Sequence, residues 1–254
     1  MQAYQEDFVR ILAETGALFF AEGLRLKDGR PTPYFVNLGL FRTGRLSALL
    51  GSYMAHMMVA HGWAARTDVV LGPSYKGSAL AVATAQGLWR DHGLDRLFEY
   101  DRKEVKAHGE ASGRGSLFVT NAFYPGARIF IVDDVGTTMG TKYDLLDQLT
   151  AESSARHLRL QVIGVGLAVN REQTTAVVDD QGELLTGVKG EDALGRFTEK
   201  TGVPVQCLVG IRKAVRYLAD KQIPVSIDGV RRPLDTNTLD VFEGYLKTYG
   251  VDAS

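Results

Sequence analysis

ARIFIVDDVGTTMGT, residues 127–141, is the stretch of sequence that decides the fold. An apolar, β-branched run ends in two adjacent carboxylates, Asp133 and Asp134, and a turn rich in threonine and glycine follows directly. Such a run is typical of a buried strand in a parallel sheet. Because backbone N–H groups and hydroxyls crowd a turn of this kind, it predicts an anion-binding loop at the start of the next helix.

Strand and helix patterns alternate on both sides of this stretch. Amphipathic helices are predicted at about 45–61 and about 140–152. They separate apolar runs that we interpret as strands: TDVVLG, RLFEYD, RLQVIGVGLAVN and VPVQCLVGI. The alternation predicts an α/β protein with a mainly parallel central sheet flanked by helices. Ligands of such sheets bind beyond the carboxyl ends of the strands, which makes the loops at 72–77, 101–110 and 133–141 the candidate sites.

Composition narrows the class of protein. The chain has 254 residues, 45% of them hydrophobic and 23% charged, as expected of a soluble globular enzyme. Its net charge of −1 argues against a general nucleic-acid-binding surface. The stretch LSALLGSYMAHMMVAHGWAA is interrupted by Gly51, His56 and His61, so we interpret it as a packed helix and expect no membrane span. One cysteine, Cys207, and an N-terminus without a signal peptide favour the cytoplasm.

The two ends of the chain are less regular. Residues 4–14 show an amphipathic helical pattern, and short strands punctuated by glycine and proline follow. The polar, glycine-rich segment 179–203 is interpreted as an excursion between strands. A last helix is predicted in the tail, with Thr236 or Asn237 near its N-cap.

The acidic pair indicates which anion the loop binds. Adjacent side chains at a strand end point to opposite faces, so Asp133 and Asp134 cannot both crowd one phosphate. A ribose 5-phosphate suits the loop and the acids together, because its phosphate meets the loop and its hydroxyls meet the carboxylates. The sequence contains no G-x-x-x-x-G-K-[ST] motif, and no G-x-G-x-x-G motif follows an early strand. We therefore interpret the loop as a site for a phosphorylated sugar.

Two further stretches add positive charge beside this loop. GPSYKG, residues 72–77, combines Lys76 with glycines that let the backbone approach a ligand closely. Residues 101–115 are basic and glycine-rich in a chain that is nearly neutral overall. A basic loop that closes over a leaving pyrophosphate would stabilise the charge that develops on its oxygens.

These motifs resemble those of one enzyme family. IFIVDDVGTTMGT is similar to the phosphoribosyl-pyrophosphate (PRPP) signature of the type I phosphoribosyltransferases. GPSYKGSALA, RKEVKAHGE and LKDGRPTPYFVNLGLFRTG resemble, in this order, the pyrophosphate loop, the catalytic flap and the N-terminal hood of orotate phosphoribosyltransferases. The resemblance covers most of residues 4–171. It implies a single phosphoribosyltransferase domain over 1–254, with a hood mainly from 1–45 and a flexible flap at about 102–116.

The resemblance also implies roles for individual residues. It assigns catalysis to Lys106, Asp133 and Asp134. It assigns orotate binding to Phe35, Val36, Thr137 and Arg171, and a guanidinium such as that of Arg171 suits the orotate carboxylate on chemical grounds alone. It assigns PRPP binding to Lys27, Tyr75, Lys76, Arg102, Lys103, Lys106, His108, Asp133, Asp134, Val135, Gly136, Thr137, Thr138, Met139, Gly140 and Thr141. Members of the family commonly have glycine where Met139 stands and phenylalanine where Val36 stands.

The implied reaction is transfer of the 5-phosphoribosyl group from PRPP to orotate, which gives orotidine 5′-monophosphate and pyrophosphate in UMP biosynthesis. Mg²⁺ is implied as the counter-ion of the phosphates. The resemblance also implies a homodimer in which the flap of one subunit reaches the active site of its neighbour. Two alternatives remain open at this point. One is a PRPP-dependent transferase for another base, and the other is a PRPP-sensing regulator without catalysis.

Overall fold

The computed structural model describes residues 1–102, 117–136 and 138–252 of the chain. The α-helices within these residues are α1 (Ala3–Glu14), α2 (Gly44–Ala60), α3 (Lys76–His92), α4 (Gly140–Arg156), α5 (Ala193–Thr201), α6 (Ile211–Asp220) and α7 (Thr236–Tyr249). The strands are β1 (Leu18–Phe20), β2 (Tyr34–Val36), β3 (Val69–Gly72), β4 (Leu97–Tyr100), β5 (Arg128–Gly136), β6 (Gln161–Asn170), β7 (Val205–Gly210), β8 (Val225–Ile227) and β9 (Val230–Arg232).

The central sheet is parallel, as the sequence predicts. Its strands lie in the order β4-β3-β5-β6-β7, and all four pairings are parallel. Alternate side chains of β5 enter two different cores. Phe130 and Val132 pack in the core that contains residues of α2 and α3, whereas Ile129 and Ile131 pack in the core that contains residues of α4 and α5. Helices therefore cover both faces, which explains why β5 is apolar at successive positions.

A second, mixed sheet forms the hood. Its order is β2-β1-β8-β9, in which β1 is antiparallel to β2 and parallel to β8. Helix α7 packs against it, with the Phe242 ring 6.1 Å from the Phe20 ring and 5.4 Å from the Tyr34 ring. The sequence analysis placed the hood mainly in residues 1–45. The structure adds two strands from residues 225–232, which pair with β1 only because the chain folds back.

Two details of the C-terminal part extend the sequence analysis. The N-cap of α7 is Asp235, whose side chain accepts the backbone N–H of Thr238 at 2.8 Å. Thr236 and Asn237, which were expected near the N-cap, are the first two residues of the helix. The segment 179–203 lies between β6 and β7, as predicted, and it also contains α5.

The apolar stretch in the first half of the chain forms α2, whose buried side chains pack in the main core. Across the residues that the structure describes, no helix combines the length and the apolar character that crossing a membrane requires. Strands β3 and β5 end at the same edge of the parallel sheet, at Gly72 and Gly136. The loops that follow them are consequently brought together.

Candidate active site

A cavity of about 800 Å³ lies at the edge where β3 and β5 end. The strand ends and the first turn of α4 line one side of it, and the hood lines the other side. The structure brings twelve of the predicted site residues into its lining: Lys27, Phe35, Tyr75, Lys76, Asp133, Asp134, Val135, Thr138, Met139, Gly140, Thr141 and Arg171. Residues separated by more than a hundred positions thus share one cavity.

Three further predicted residues are described by the structure but do not line this cavity. Val36 is buried in the main core, and Gly136 ends β5. Arg102 lies at the base of the predicted flap, where its backbone N–H donates to the carbonyl oxygen of Leu117 at 2.7 Å. Four predicted residues fall outside the described residues: Lys103, Lys106, His108 and Thr137.

The first carboxylate of the pair, Asp133, is buried and paired with a lysine. Lys142 Nζ contacts Asp133 Oδ2, and only 4% of the lysine side chain is exposed. The other oxygen of Asp133 accepts the backbone N–H of Asp134 at 2.8 Å. Burial raises the pKa of the Asp133 carboxyl above its ordinary value, and the positive charge of Lys142 opposes that rise.

The second carboxylate, Asp134, meets a different lysine. Its Oδ2 accepts a hydrogen bond from Lys76 Nζ at 2.9 Å, and 62% of the Lys76 side chain is exposed. Lys76 begins α3 and Lys142 belongs to α4, and these helices cover opposite faces of the sheet. The prediction that the two carboxylates point in opposite directions is confirmed.

The loop after the carboxylates turns sharply at Met139. This residue has a left-handed backbone with φ of 61°, a region that favours glycine. Its carbonyl oxygen accepts the backbone N–H groups of Lys142 at 2.9 Å and Tyr143 at 3.1 Å, so α4 begins directly after it. The side chain is 2% exposed and packs in the core beneath α4. Burial of the methionine therefore offsets the unfavourable backbone that positions the N-terminus of α4 at the cavity.

The loop after β3 makes the close approach that its glycines predict. A Cβ atom on Gly72 would lie 1.8 Å from the carbonyl oxygen of Gly77, and one on Gly77 would lie 2.6 Å from Pro73 Cδ. The backbone N–H of Ser74 also donates to Asp101 Oδ1 at 2.5 Å. This contact ties the loop of Lys76 to the residues where the predicted flap begins.

An unpaired guanidinium lies on the hood side of the cavity. Arg171 is 6% exposed, and its guanidinium carbon lies 5.4 Å from the Tyr34 ring centroid and 5.7 Å from that of Phe35. Its Nε and Nη2 are buried and have no hydrogen-bond partner in the described residues. Buried donors are nearly always satisfied, so these atoms indicate the position of an anionic or carbonyl acceptor on a ligand. A surface ion pair of Arg171 does not fit this burial.

Among the lining residues that the predicted site residues did not include are Gln173 and Lys142. Gln173 is 6% exposed, its Oε1 accepts from the Tyr245 hydroxyl at 3.0 Å, and its Nε2 has no partner among the described residues. Its place two residues after Arg171 was an available signal, although Glu172 between them has a left-handed backbone with φ of 51°. Lys142 carried no such signal, because a lysine in the first turn of a helix is ordinarily exposed.

Comparison with known proteins gives the family. A scan against models of protein families found no match. The chain is 36% identical to an orotate phosphoribosyltransferase of Saccharophagus degradans over 255 residues, which cover 99% of this chain and 100% of that protein. It is 35% identical to an orotate phosphoribosyltransferase of Chromohalobacter salexigens, over 87% of this chain and 86% of that one.

A solved structure agrees in fold. The crystal structure of an orotate phosphoribosyltransferase from Francisella tularensis matches with a TM-score of 0.72 and 24% identity, and the match covers 96% of this chain and 99% of that chain. The type I phosphoribosyltransferase fold expected from the motifs is thereby confirmed. Given the sequence identity to the two relatives over most of its length, this chain belongs to the orotate phosphoribosyltransferase family.

Proposed function

We propose that this chain transfers the 5-phosphoribosyl group of PRPP to N1 of orotate, releasing pyrophosphate and forming orotidine 5′-monophosphate for UMP biosynthesis. The observation that carries the proposal is the buried guanidinium of Arg171, which has two donor nitrogens without partners among the described residues and lies beside an aromatic ring in the cavity of the phosphate loop. Orotate offers both an aromatic plane and a carboxylate, and a guanidinium binds a carboxylate bidentately.

The strand ends would hold the sugar phosphate. The 5-phosphate would bind the turn of Thr138–Thr141, where the first N–H groups of α4 have no acceptor within the helix. The ribose hydroxyls would donate to Asp133 and Asp134. Each carboxylate oxygen has two lone pairs, so the contacts with Lys142 and Lys76 leave capacity for a hydroxyl.

The diphosphate would lie toward Lys76. The ion pair of this lysine with Asp134 is largely exposed to solvent, and such pairs contribute about 0–1 kcal/mol. Lys76 is therefore free to exchange its carboxylate partner for a diphosphate oxygen at little cost. Lys27 and Tyr75 line the same part of the cavity and would contact PRPP beside it, and Arg102 at the flap base would assist.

The chemistry is a displacement at C1 of the ribose. The N1 lone pair of orotate forms the new bond to C1 while the bond from C1 to the pyrophosphate oxygen breaks, and the pyrophosphate leaves with the electron pair. Positive charge develops on C1 and the ring oxygen, where Asp133 and Asp134 would stabilise it. Lys106 would stabilise the leaving group, assisted by Lys103 and His108, which also belong to the part of the chain that the structure does not describe.

The base would bind on the hood side. Phe35 would stack on the orotate ring, Arg171 would bind its carboxylate, and Thr137 would contact it from the phosphate loop. Gln173 Nε2 supplies a further donor for a carbonyl oxygen of the base. Val36, which the family resemblance also assigned to the base, packs in the core on the other face of β2, and we give it a supporting role only.

Magnesium would act as the counter-ion of the diphosphate and balance its charge as it leaves. Mg²⁺ keeps several waters and binds largely through substrate phosphates. Among the residues that the structure describes, no group of three or more histidine, cysteine, aspartate or glutamate side chains could hold a metal ion. We assign the ion no protein ligand and derive no step through it.

We also propose a homodimer that works in the cytoplasm. Strand β4 is an edge strand, carries the exposed side chains of Leu97 and Phe98, and leads directly into the predicted flap. Covering this edge with a second copy would bury apolar surface and place each flap beside its neighbour. Burial raises the pKa of the Cys207 thiol to about 12, so this lone cysteine is an unreactive core residue of the kind found in reducing compartments.

An ultraviolet assay of orotate loss with PRPP and Mg²⁺ tests the proposal. We expect orotate to be consumed and uracil and hypoxanthine to be left unused under the same conditions. Turnover of one of the other bases in place of orotate would assign a different substrate. Measurable PRPP binding without consumption of any base would indicate a PRPP-sensing regulator and contradict the proposal.

A further inference from the structure

Lys142 is a buried lysine in the first turn of α4, and its only described ionic partner is Asp133. Its Nζ also contacts Thr141 Oγ1 at 3.3 Å, and its side chain lines the cavity floor. We propose that Lys142 is a positioning residue that holds the Asp133 carboxylate ionised and fixed in direction, so that a phosphate and a ribose bind beside two aspartates. The inference rests on the proposed function, because it concerns how PRPP is accepted.

Lys142 compensates negative charge at the mouth of the loop. Two adjacent carboxylates stand at the mouth of a loop that would take a phosphate dianion, and like charges at close range are strongly unfavourable. The charged groups that face Asp133 are Lys142 from α4 and Asp134 from β5. Across the same cavity lie Lys76 from α3 and Arg171 after β6, together with Lys27 and Asp28 of the hood. Lys142 is the cation in direct contact with Asp133.

The two lysines differ in whether a ligand can displace them. The Lys76 side chain is mostly in solvent, so its contact with Asp134 is weak and exchangeable. Lys142 is enclosed, and separating it from Asp133 would leave two uncompensated charges in a buried place. The Asp133–Lys142 pair therefore stays closed when PRPP enters. A bound phosphate then meets one net negative charge from the acidic pair rather than two.

The pair also fixes geometry. One oxygen of Asp133 is held by Lys142 and the other by the backbone N–H of Asp134, so the carboxylate plane has no freedom to rotate. Because Lys142 belongs to the helix whose N-terminus carries the phosphate loop, its contact also joins α4 to the end of β5. A ribose hydroxyl and a 5-phosphate of the same molecule would thus meet groups with a set spacing.

The test compares Lys142→Met, Asp133→Asn and the double variant with wild type. Methionine keeps the length of the buried chain and removes its charge. The measurements are the Kd of PRPP with Mg²⁺ by calorimetry from about pH 6 to about pH 8.5, and kcat and KM with orotate. Lys221→Met serves as the control, because it removes a positive charge from an exposed position after α6.

We expect Lys142→Met to weaken PRPP binding by about tenfold or more at the upper end of this range. Without the lysine, burial and the negative charge of Asp134 raise the pKa of Asp133, so the group gains charge as the pH is raised. The ratio of the variant Kd to the wild-type Kd should therefore grow with pH. Asp133→Asn in the Lys142→Met background should return the Kd to within about threefold of wild type and remove the pH dependence of the ratio.

Several results would overturn the inference. One is a folded Lys142→Met protein with wild-type affinity at every pH, and another is a double variant that binds no better than the single one. If Lys142→Met does not fold, the double variant decides: folding with near wild-type affinity supports the inference, and failure to fold or to bind PRPP contradicts it. A wild-type protein that does not bind PRPP would instead contradict the proposed function.

Discussion

Two walls of one cavity are built differently. The phosphate-side wall consists of Lys76, Asp133, Asp134 and Lys142 with the turn before α4, and its charges are paired with one another. The base-side wall consists of Phe35, Arg171 and Gln173, and its buried donors lack partners among the described residues. The first wall is satisfied before a ligand arrives, and the second is completed by one.

This difference indicates a division of labour. Paired charges on the phosphate side keep a polar surface in place and, in the proposed reaction, would allow Lys76 to exchange its carboxylate partner for the diphosphate. Unpaired buried donors on the base side carry a desolvation cost that only a ligand with the right acceptors relieves. We therefore expect changes on the phosphate side to act on PRPP binding and on the rate, and changes on the base side to act mainly on the choice and affinity of the base.

The largest effect is expected on the rate of catalysis, and its absence would contradict the comparison of the two walls. Lys106→Ala should lower kcat by about 10²- to 10³-fold and weaken PRPP binding far less, because in the proposed mechanism the lysine would stabilise charge that appears on the leaving pyrophosphate only in the transition state. Steady-state kinetics together with PRPP titration measure the two quantities separately. Lys103→Ala, in the same loop, should show a smaller loss, and an unchanged kcat for Lys106→Ala would refute the assignment.

The next prediction tests the base side. Arg171→Ala should raise the KM for orotate by about 10²-fold and change kcat little, because it removes a buried charged partner of the carboxylate. Discrimination between orotate and uracil, which lacks the carboxylate, should fall in parallel. Arg216→Ala, at an exposed position of α6, serves as the control. A variant that kept the wild-type KM for orotate would show that the carboxylate binds elsewhere.

A third prediction concerns the stability of the phosphate-side wall. Met139→Gly should relieve a left-handed backbone by about 1 kcal/mol but lose a buried side chain, for a net loss of about 2 kcal/mol in the free energy of unfolding. Denaturant unfolding measures this difference. Met139→Ala separates the two contributions, since it loses most of the side chain and keeps the strained backbone, and it should be the less stable variant. A glycine variant more stable than wild type would mean that strain outweighs packing.

The smallest predicted effect tests whether the amide of Gln173, in the base-side wall, binds the base. Gln173→Leu should raise the KM for orotate by about tenfold, because it removes one donor to the base while keeping similar volume. Tyr245→Phe removes the hydroxyl that holds the Gln173 amide and should raise this KM by about threefold. Orotate kinetics at saturating PRPP give both values. Equal KM values in wild type and both variants would exclude the amide from base binding.

Much of the phosphate-side wall was predictable from sequence. The run before Asp133 indicated a buried parallel strand, the turn after Asp134 indicated an anion site, and the glycines at 72 and 77 indicated a close approach of backbone. All of these rest on interactions within about ten residues, where strand alternation and turn chemistry act directly on neighbouring side chains. The predicted strands and helices around them were confirmed for the same reason.

Local sequence determined the order of strands and helices, the parallel sheet and the turn before α4, since those depend on periodicity and on neighbouring residues. Tertiary structure alone decided that Lys142 is buried against Asp133, that Gln173 Nε2 has no partner among the described residues, and that β8 and β9 complete the hood. A lysine or glutamine has the same local preferences whether it is buried or exposed. Only contacts between distant segments remove it from water, and that removal gives it its role.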